Sequence, residues 1–346
     1  MPFSFRRSIA DAARCAAAAS LAFLNFVVVA PAVAADTALR PDIDAFVTDM
    51  AAKHRFDVQQ LRELFAKAQL RPNILRIMTA PSTAKPWYEF RPLYVNERRI
   101  EGGLAFWTEN AATLARARLK FGVPENIIVA TIGIETLYGR HVGKVKVLDA
   151  LTTLAFDYPR RAEFFRGELE AYLLLGREQA WDLAEVRGSY AGAIGLPQFL
   201  PSSYEKYAVD FDDDGTRHLW GDAADAIGSV ANYYRSYGWE TDRVAAVPVA
   251  LDDHALATLD TTEIMPRRTV AEYVEAGATP LANAPPEAKA ALIKLDTESG
   301  PRYWLALQNF YVITRYNRSV NYAMAVLELA KEIEERRAAG AMNGPQ

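Results

Sequence analysis

The most restrictive stretch of this sequence is a helix that opens at Pro124 and carries Ile127, Ile128, Val129, Ala130, Ile132, Ile134 and Leu137. Pro124 suits a first helical turn, where its missing N–H costs nothing. Gly139 supplies a C-terminal stop. One acid, Glu135, stands near the end of the helix. A carboxylate on an apolar helix is expensive to ionise, so the pKa of Glu135 is expected to rise. A carboxylic acid still protonated near neutral pH is what a general acid needs. Helix context alone also leaves room for Glu135 on a solvent face, so the functional reading needs support from elsewhere.

Composition removes several classes. The 346 residues allow two or three structural units at ~100–200 residues per domain. With 51% hydrophobic and 24% charged residues, the chain is that of a folded globular protein, not a disordered or collagen-like one. Acids outnumber bases, 43 to 39, which argues against electrostatically driven nucleic-acid binding. A single cysteine excludes a disulfide framework or a thiolate metal cluster, and the four histidines include no His-x-x-x-His pair for a zinc protease.

The first 34 residues read as a secretory signal. Arg6 and Arg7 precede an apolar run from Ala16 to Ala30, broken only by Ser20 and Asn25. Small residues then prepare a cut after Ala34. The run, at ~15 residues, is short of the ~20 that a spanning helix needs, and no later stretch is long and apolar enough. Cys15 follows Arg14 inside the segment to be removed, which is not the context of a lipidated cysteine. The expectation is a cysteine-free protein in an exported, periplasmic compartment, with Sec and twin-arginine export both open.

Most of the remaining chain reads helical. Asp57-Val58-Gln59-Gln60 looks like a capping box opening a helix through Lys67. A long pattern runs from about Leu93 to Lys120. Residues 159–177 form an amphipathic stretch, and Ala226, Ile227, Val230, Tyr233, Tyr234 and Tyr237 fall at helical spacing, as do Tyr322, Val326 and Leu329. Between about Val244 and Leu307 the pattern changes to short alternating runs with prolines. There Ala290–Leu295 and Tyr303–Leu307, split by Glu298-Ser299-Gly300-Pro301, suggest a hairpin.

A second polar signal lies in Gly188-Ser189-Tyr190-Ala191-Gly192-Ala193-Ile194-Gly195-Leu196-Pro197-Gln198. Its glycines and alanines let backbone approach something closely, and Ser189 and Gln198 are polar groups in an otherwise apolar, turning segment. A close helix–helix contact is the plainer explanation of this segment taken alone.

Together these residues carry a resemblance. Ile134-Glu135-Thr136, Phe156-Asp157-Tyr158-Pro159-Arg160-Arg161, Gly188-Ser189-Tyr190-Ala191-Gly192, Tyr207-Ala208-Val209-Asp210-Phe211 and Arg315-Tyr316-Asn317, in that order, resemble the membrane-bound lytic murein transglycosylase B family of lysozyme-like lytic transglycosylases. The resemblance runs from about residue 40 to 335. It implies a mainly α protein with a lysozyme-like core, an N-terminal helical part and a small α+β insertion. The divisions expected are 36–100 (helical part), 101–243 (core), 244–304 (insertion) and 305–337 (helices completing the core).

The resemblance further implies cleavage of peptidoglycan glycan strands between N-acetylmuramic acid and N-acetylglucosamine, with a 1,6-anhydro end on the product. One acid/base suffices for that chemistry, and Glu135 is the candidate. Asp149 and Asp157 are the nearest later acids, and a second catalytic role stays open for them. By motif position, Ser189 would hydrogen-bond near Glu135 and orient it, and Gln198 would line the sugar cleft. Tyr158, Arg160 and Arg161 would lie along the glycan or its peptide stem, where a guanidinium can bind a carboxylate bidentately. Tyr316 and Asn317 would close the other wall. Solvated positions for the two arginines and core packing for Tyr316 are the plainer alternatives. No cofactor is expected for catalysis. A hydrolytic muramidase and a non-catalytic peptidoglycan- or calcium-binding protein are the rival functions, and partners among cell-wall synthesis or division proteins are left open.

Asp210-Phe211-Asp212-Asp213-Asp214-Gly215 matches the first half of an EF-hand loop, with oxygen ligands at positions 1, 3 and 5 and Gly at 6. Position 12 is Gly221 rather than Glu. The expected ligand set for a structural calcium ion is Asp210, Asp212, Asp214, Thr216 and, by family resemblance, Asp225. Asp222 is expected to cap the next helix. A plain solvated acidic turn is the alternative.

Overall fold

The computed structural model describes residues 39–79 and 85–342. The leader with Cys15 and the cut after Ala34 lies outside the described residues. Three helices open the fold, α1 (Pro41–His54), α2 (Val58–Ala66) and α3 (Pro72–Thr79). The cap expected at Asp57 is present: its carboxylate accepts from the Gln60 N–H at 2.8 Å.

The single long helix expected over 93–120 is three: α4 (Trp87–Tyr94), α5 (Glu97–Glu109) and α6 (Ala111–Phe121). Asn96 accepts from the Arg99 N–H at 3.2 Å and starts α5 afresh. Asn110 sits at φ −114° and turns its amide back onto the Phe106 carbonyl at 2.9 Å. Short polar side chains compete with the helix for its own backbone groups, so an unbroken apolar period need not mean one rod.

The central helix α7 (Glu125–Thr136) is buried continuously from Ile127 to Ile134. Pro124 is its N-cap, one residue outside the first turn. The helix ends before Gly139: Leu137 and Tyr138 are already left-handed, at φ 51° and 58°. That conformation is unfavourable for side-chain-bearing residues. Tyr138 is held in it by its burial. Its hydroxyl donates to the Arg99 carbonyl at 2.8 Å, and its ring fills a socket against Gly102, Gly103 and Gly133, where any Cβ would collide.

Strand β1 (Val145–Lys146) pairs antiparallel with β2 (Arg187–Gly188), on either side of α8 (Val147–Asp157) and α9 (Ala162–Glu178). The stretch expected at 159–177 thus starts with a 3-10 turn at Pro159–Arg161. Then come α10 (Pro201–Tyr207) and α11 (Ala223–Ser236).

The patterned region after 244 builds a five-stranded antiparallel sheet. Its elements are β3 (Ala246–Leu251), α12 (Asp253–Thr258), β4 (Arg268–Thr269), α13 (Val270–Glu275), β5 (Ala278–Pro280), β6 (Lys289–Thr297) and β7 (Gly300–Ala306). The order is β4-β6-β7-β3-β5. The hairpin is longer than the sequence suggested, with Leu292 opposite Leu305 and Thr297 opposite Gly300. Val247, Val249, Val270, Leu292 and Leu305 give the sheet a small core of its own. The chain then returns through α14 (Gln308–Tyr316) and α15 (Val320–Met342), and α15 packs along α5 and α7. Among the described residues, no helix is long and apolar enough to cross a membrane.

Candidate active site

Glu135 is the next-to-last residue of α7. Burial pushes its carboxyl up from the ordinary value of 4.5 to about 7, opposed only by a hydrogen bond from Tyr322. That hydroxyl donates to Glu135 Oε1 at 2.5 Å. The carboxyl is densely surrounded, yet the residue keeps a partial opening to solvent. Both features suit a proton donor: a dry surround keeps the proton on, and an opening lets it leave.

Tyrosines dominate the surround. Tyr322, 3% exposed, lies nearly parallel to Tyr316 with ring centres 6.4 Å apart. Tyr316 donates to the Pro197 carbonyl at 2.6 Å, which ties the end of α14 to the glycine-rich segment. Tyr234 on α11 shares a hydrogen bond of 2.7 Å with Thr131 on α7. Tyr190, Tyr234, Tyr316 and Tyr322 all lie within electrostatic reach of Glu135, and burial raises the pKa of each. They are therefore neutral groups that line the acid without ionising beside it.

The glycine-rich segment folds into tight turns. Gly192 is left-handed at φ 81°, and a Cβ there would strike Leu151. Ser189 does not make the expected bond to Glu135. Its Oγ accepts from the N–H groups of Ala191 and Ala193, at 3.2 and 3.1 Å, and so braces the turn. A serine hydroxyl has two acceptor sites and one proton, so the proton is what Ser189 still has to donate. The partner of Glu135 is Tyr322 instead. Gln198, left-handed at φ 51°, donates its amide nitrogen to the carbonyls of Val142 and Gly195 at 3.1 and 2.8 Å. Its side-chain oxygen remains to be offered.

The other sequence candidates sit apart. Tyr158 is half-buried at the end of α8, its ring 6.3 Å from Phe165. Arg161 lies over the Phe164 ring at 4.1 Å, and Arg160 is exposed. Among the described residues, no hydrogen bond or ring contact joins these three to Glu135. Asn317 is exposed beside Tyr316, directly after α14. Asp149 and Asp157, left open as second acids, are both engaged elsewhere. Asp149 accepts from the Gln69 N–H and from Arg71, and Asp157 pairs with Arg40 at 2.7 Å.

In the acidic loop, ligand-capable oxygens of Asp210, Asp212 and Asp214 lie within 4.8 Å of one another. Asp210 accepts from the N–H groups of Asp214 and Gly215, and Asp214 from the N–H and hydroxyl of Thr216, which curls the loop round its own carboxylates. Asp225 does not join them. It is 1% exposed and accepts from the Phe211 and His218 N–H groups, both at 2.6 Å, one on each oxygen. It clamps the two ends of the loop from the first turn of α11. Asp222 caps α11, as expected, by accepting from the Ala224 N–H at 2.5 Å. It also bears on Asp212, whose pKa is raised by desolvation within the loop and by the Asp222 carboxylate.

Sequence reasoning missed Tyr322 as a functional group. Its helical spacing with Val326 and Leu329 read as core packing. The available signal was the number of tyrosines, among them Tyr233, Tyr234, Tyr237, Tyr316 and Tyr322, on helices that otherwise read as apolar.

A mainly α core with a glutamic acid on its central buried helix, walled by tyrosines and a glycine-rich turn, defines a lysozyme-like glycan-cleaving enzyme. Residues 38–331 match the model of the Transglycosylase SLT domain family. The chain is 42% identical to membrane-bound lytic murein transglycosylase B of Escherichia coli (strain K12) over 308 residues, 86% of this chain and 84% of that protein. The crystal structure of soluble lytic transglycosylase SltB1 from Pseudomonas aeruginosa superposes with a TM-score of 0.81 at 44% identity, covering 86% of this chain and all of that one. The Escherichia coli lytic transglycosylase Slt35 in complex with calcium gives 0.81 at 41% identity, over 88% of this chain and 96% of that one. The chain belongs to the SLT-domain lytic transglycosylase family, enzymes that act on peptidoglycan.

Proposed function

We propose that this enzyme breaks the β-1,4 bond between N-acetylmuramic acid and N-acetylglucosamine without water, leaving a 1,6-anhydro end, with Glu135 as its only acid/base. The observation that carries this reading is a carboxyl raised to about 7 by burial, whose one hydrogen bond among the described residues comes from Tyr322. Glu135 gives its proton to the glycosidic oxygen as the bond to C1 breaks. Tyr322 then donates to the carboxylate that remains. That carboxylate takes the proton of the sugar's own C6 hydroxyl as O6 closes onto C1, and the acid is restored. A two-carboxylate mechanism needs a partner ~5–9.5 Å away, and the engagement of Asp149 and Asp157 elsewhere speaks for the single-acid route. Ser189, with its remaining proton, and Gln198, with its free oxygen, would contact the sugar. Tyr158, Arg160 and Arg161 would follow the glycan or its peptide stem, with Asn317 on the opposite wall beside Tyr316. The core would then be residues 101–243 and 305–337, which supply Glu135, Tyr316 and Tyr322, with 244–304 as an insertion. The enzyme would work in the periplasm after loss of residues 1–34.

On the same reading, the Asp210–Thr216 turn holds a structural calcium ion. Asp210, Asp212, Asp214 and the Thr216 carbonyl would be ligands, with Asp222 closer to hand than Asp225. The all-oxygen donor set and its convergence suit a hard cation. Mass analysis of muropeptides released from purified peptidoglycan tests the reaction. Anhydro ends are expected, and products heavier by one water would make the enzyme a muramidase.

A further inference from the structure

The far end of α7 from Glu135 opens on a cavity of about 840 Å³ that the glycan chemistry does not use. The ten residues from Glu125 to Glu135 put the two sites ~15 Å apart along the helix. The floor is apolar and buried, made by Ile127, Trp107 and Trp239, at 6%, 7% and 4% exposure. The loop over it is fixed. Buried Asn309 donates to the carbonyls of Glu240 and Arg243, at 2.8 and 2.9 Å, and accepts from the Glu240 N–H at 2.8 Å.

The rim is ionic and incompletely paired. Arg118 meets Glu125 at 3.2 Å, and Glu334 accepts from Asn126 at 2.8 Å. Arg243 and Arg337 line the same cavity with no carboxylate partner among the described residues. Arg337 is laid over the Trp107 ring at 4.6 Å, which fixes the plane of its guanidinium and leaves its N–H edge to donate. Pro124 gives α7 no side-chain cap, and the first turn is met instead by Glu125 and by the Asn126 side-chain oxygen, which accepts from the Ile127 N–H at 2.9 Å. The indole N–H of Trp239, in the floor, lacks an acceptor among the described residues but is itself buried and not open to the cavity. Two guanidiniums without a carboxylate partner among the described residues thus line a preformed, largely apolar cavity. Two carboxylates, Asp242 and Glu334, line the same cavity with no cationic partner among the described residues.

We propose that this cavity binds a short peptide end bearing both a free carboxylate and an ammonium. Arg243 and Arg337 hold the carboxylate, Asp242 meets the ammonium, and the apolar side chains lie on Trp107 and Ile127. The volume is that of an ordinary small-molecule site. The proposal does not depend on the reaction assigned to Glu135.

Calorimetric titration of the full chain with the dipeptide D-alanyl-D-alanine tests it, since that probe carries both charges and two methyl groups. One site is expected, with a dissociation constant of about 1 mM or tighter. Arg243→Gln combined with Arg337→Gln should weaken it at least about tenfold, and both residues are exposed, so the fold is not at risk. Amidation of the probe's carboxylate should abolish binding. N-acetylation should weaken it in the parent and not in Asp242→Asn. Glu135→Gln should leave it unchanged, which separates this site from the cleft. No heat of binding, binding indifferent to the two arginines, or binding lost in Glu135→Gln would each overturn the proposal.

Discussion

Two glutamates of this protein are buried in the helical core, and they are put to opposite uses. Glu168, on α9, is 3% exposed, and burial raises its pKa. Both its oxygens are engaged, Oε1 by the Ser202 hydroxyl at 2.6 Å and Oε2 by the Ser202 N–H at 2.9 Å. It fills the donor-rich first turn of α10, where a carboxylate is favoured. Glu135 is equally surrounded but, among the described residues, accepts from Tyr322 alone and keeps an opening to solvent. Burial by itself therefore does not mark the working acid. On the reading proposed above, a carboxyl whose hydrogen-bonding capacity is left incomplete, beside an opening, does.

Removing the proton from each site should break the symmetry most sharply in activity. Glu135→Gln, close to isosteric, should lower turnover of purified peptidoglycan by roughly 10²–10⁴-fold, the usual worth of a general acid/base. Glu168→Ala should leave the rate per folded molecule near that of the parent. Equal losses in the two variants would mean that the two glutamates do not differ in kind.

Stability should move the other way. Glu168→Ala removes the acceptor of the Ser202 N–H and hydroxyl at the start of α10 and should destabilise by roughly 1–3 kcal/mol in chemical denaturation. Glu135 has a folded pKa of about 7, above its ordinary 4.5. Its contribution is thus complete below pH 4.5 and lost as the pH rises through 7. Glu135→Gln should then be the more stable protein at pH 8, by roughly 1–3 kcal/mol, with the gain gone at pH 4.

The acidic loop gives the smallest effect. Its carboxylates are at the surface, and Asp225 clamps the ends through the Phe211 and His218 N–H groups. After chelation, millimolar calcium should raise the melting temperature modestly, and Asp210→Ala should remove the rise. An unchanged melting temperature would make the loop a plain acidic turn.

The parts of this comparison that were legible in the sequence are the local ones. The acid near the end of α7 and the breaker Glu298-Ser299-Gly300-Pro301 each announce themselves within a few residues. The breaks at Asn96 and Asn110 did not, because whether an asparagine continues a helix or caps it depends on where its side chain finds a partner. Tyr322 was hidden by distance: 187 residues separate it from the carboxyl it serves. By motif position Ser189 is expected to bond near Glu135 and Asp225 to join the ligand set. Turn geometry instead gave their oxygens to backbone N–H groups.

Burial should keep Glu135 protonated into the neutral range while Tyr322 restrains the shift. Carbon-13 NMR of side-chain-labelled glutamate follows it directly, with Glu135→Gln identifying the resonance. The account predicts that this carboxyl titrates at about 7 in the parent and higher in Tyr322→Phe, where the bond favouring the carboxylate is gone. Titration near 4.5 in the parent, or a fall in Tyr322→Phe, would contradict it.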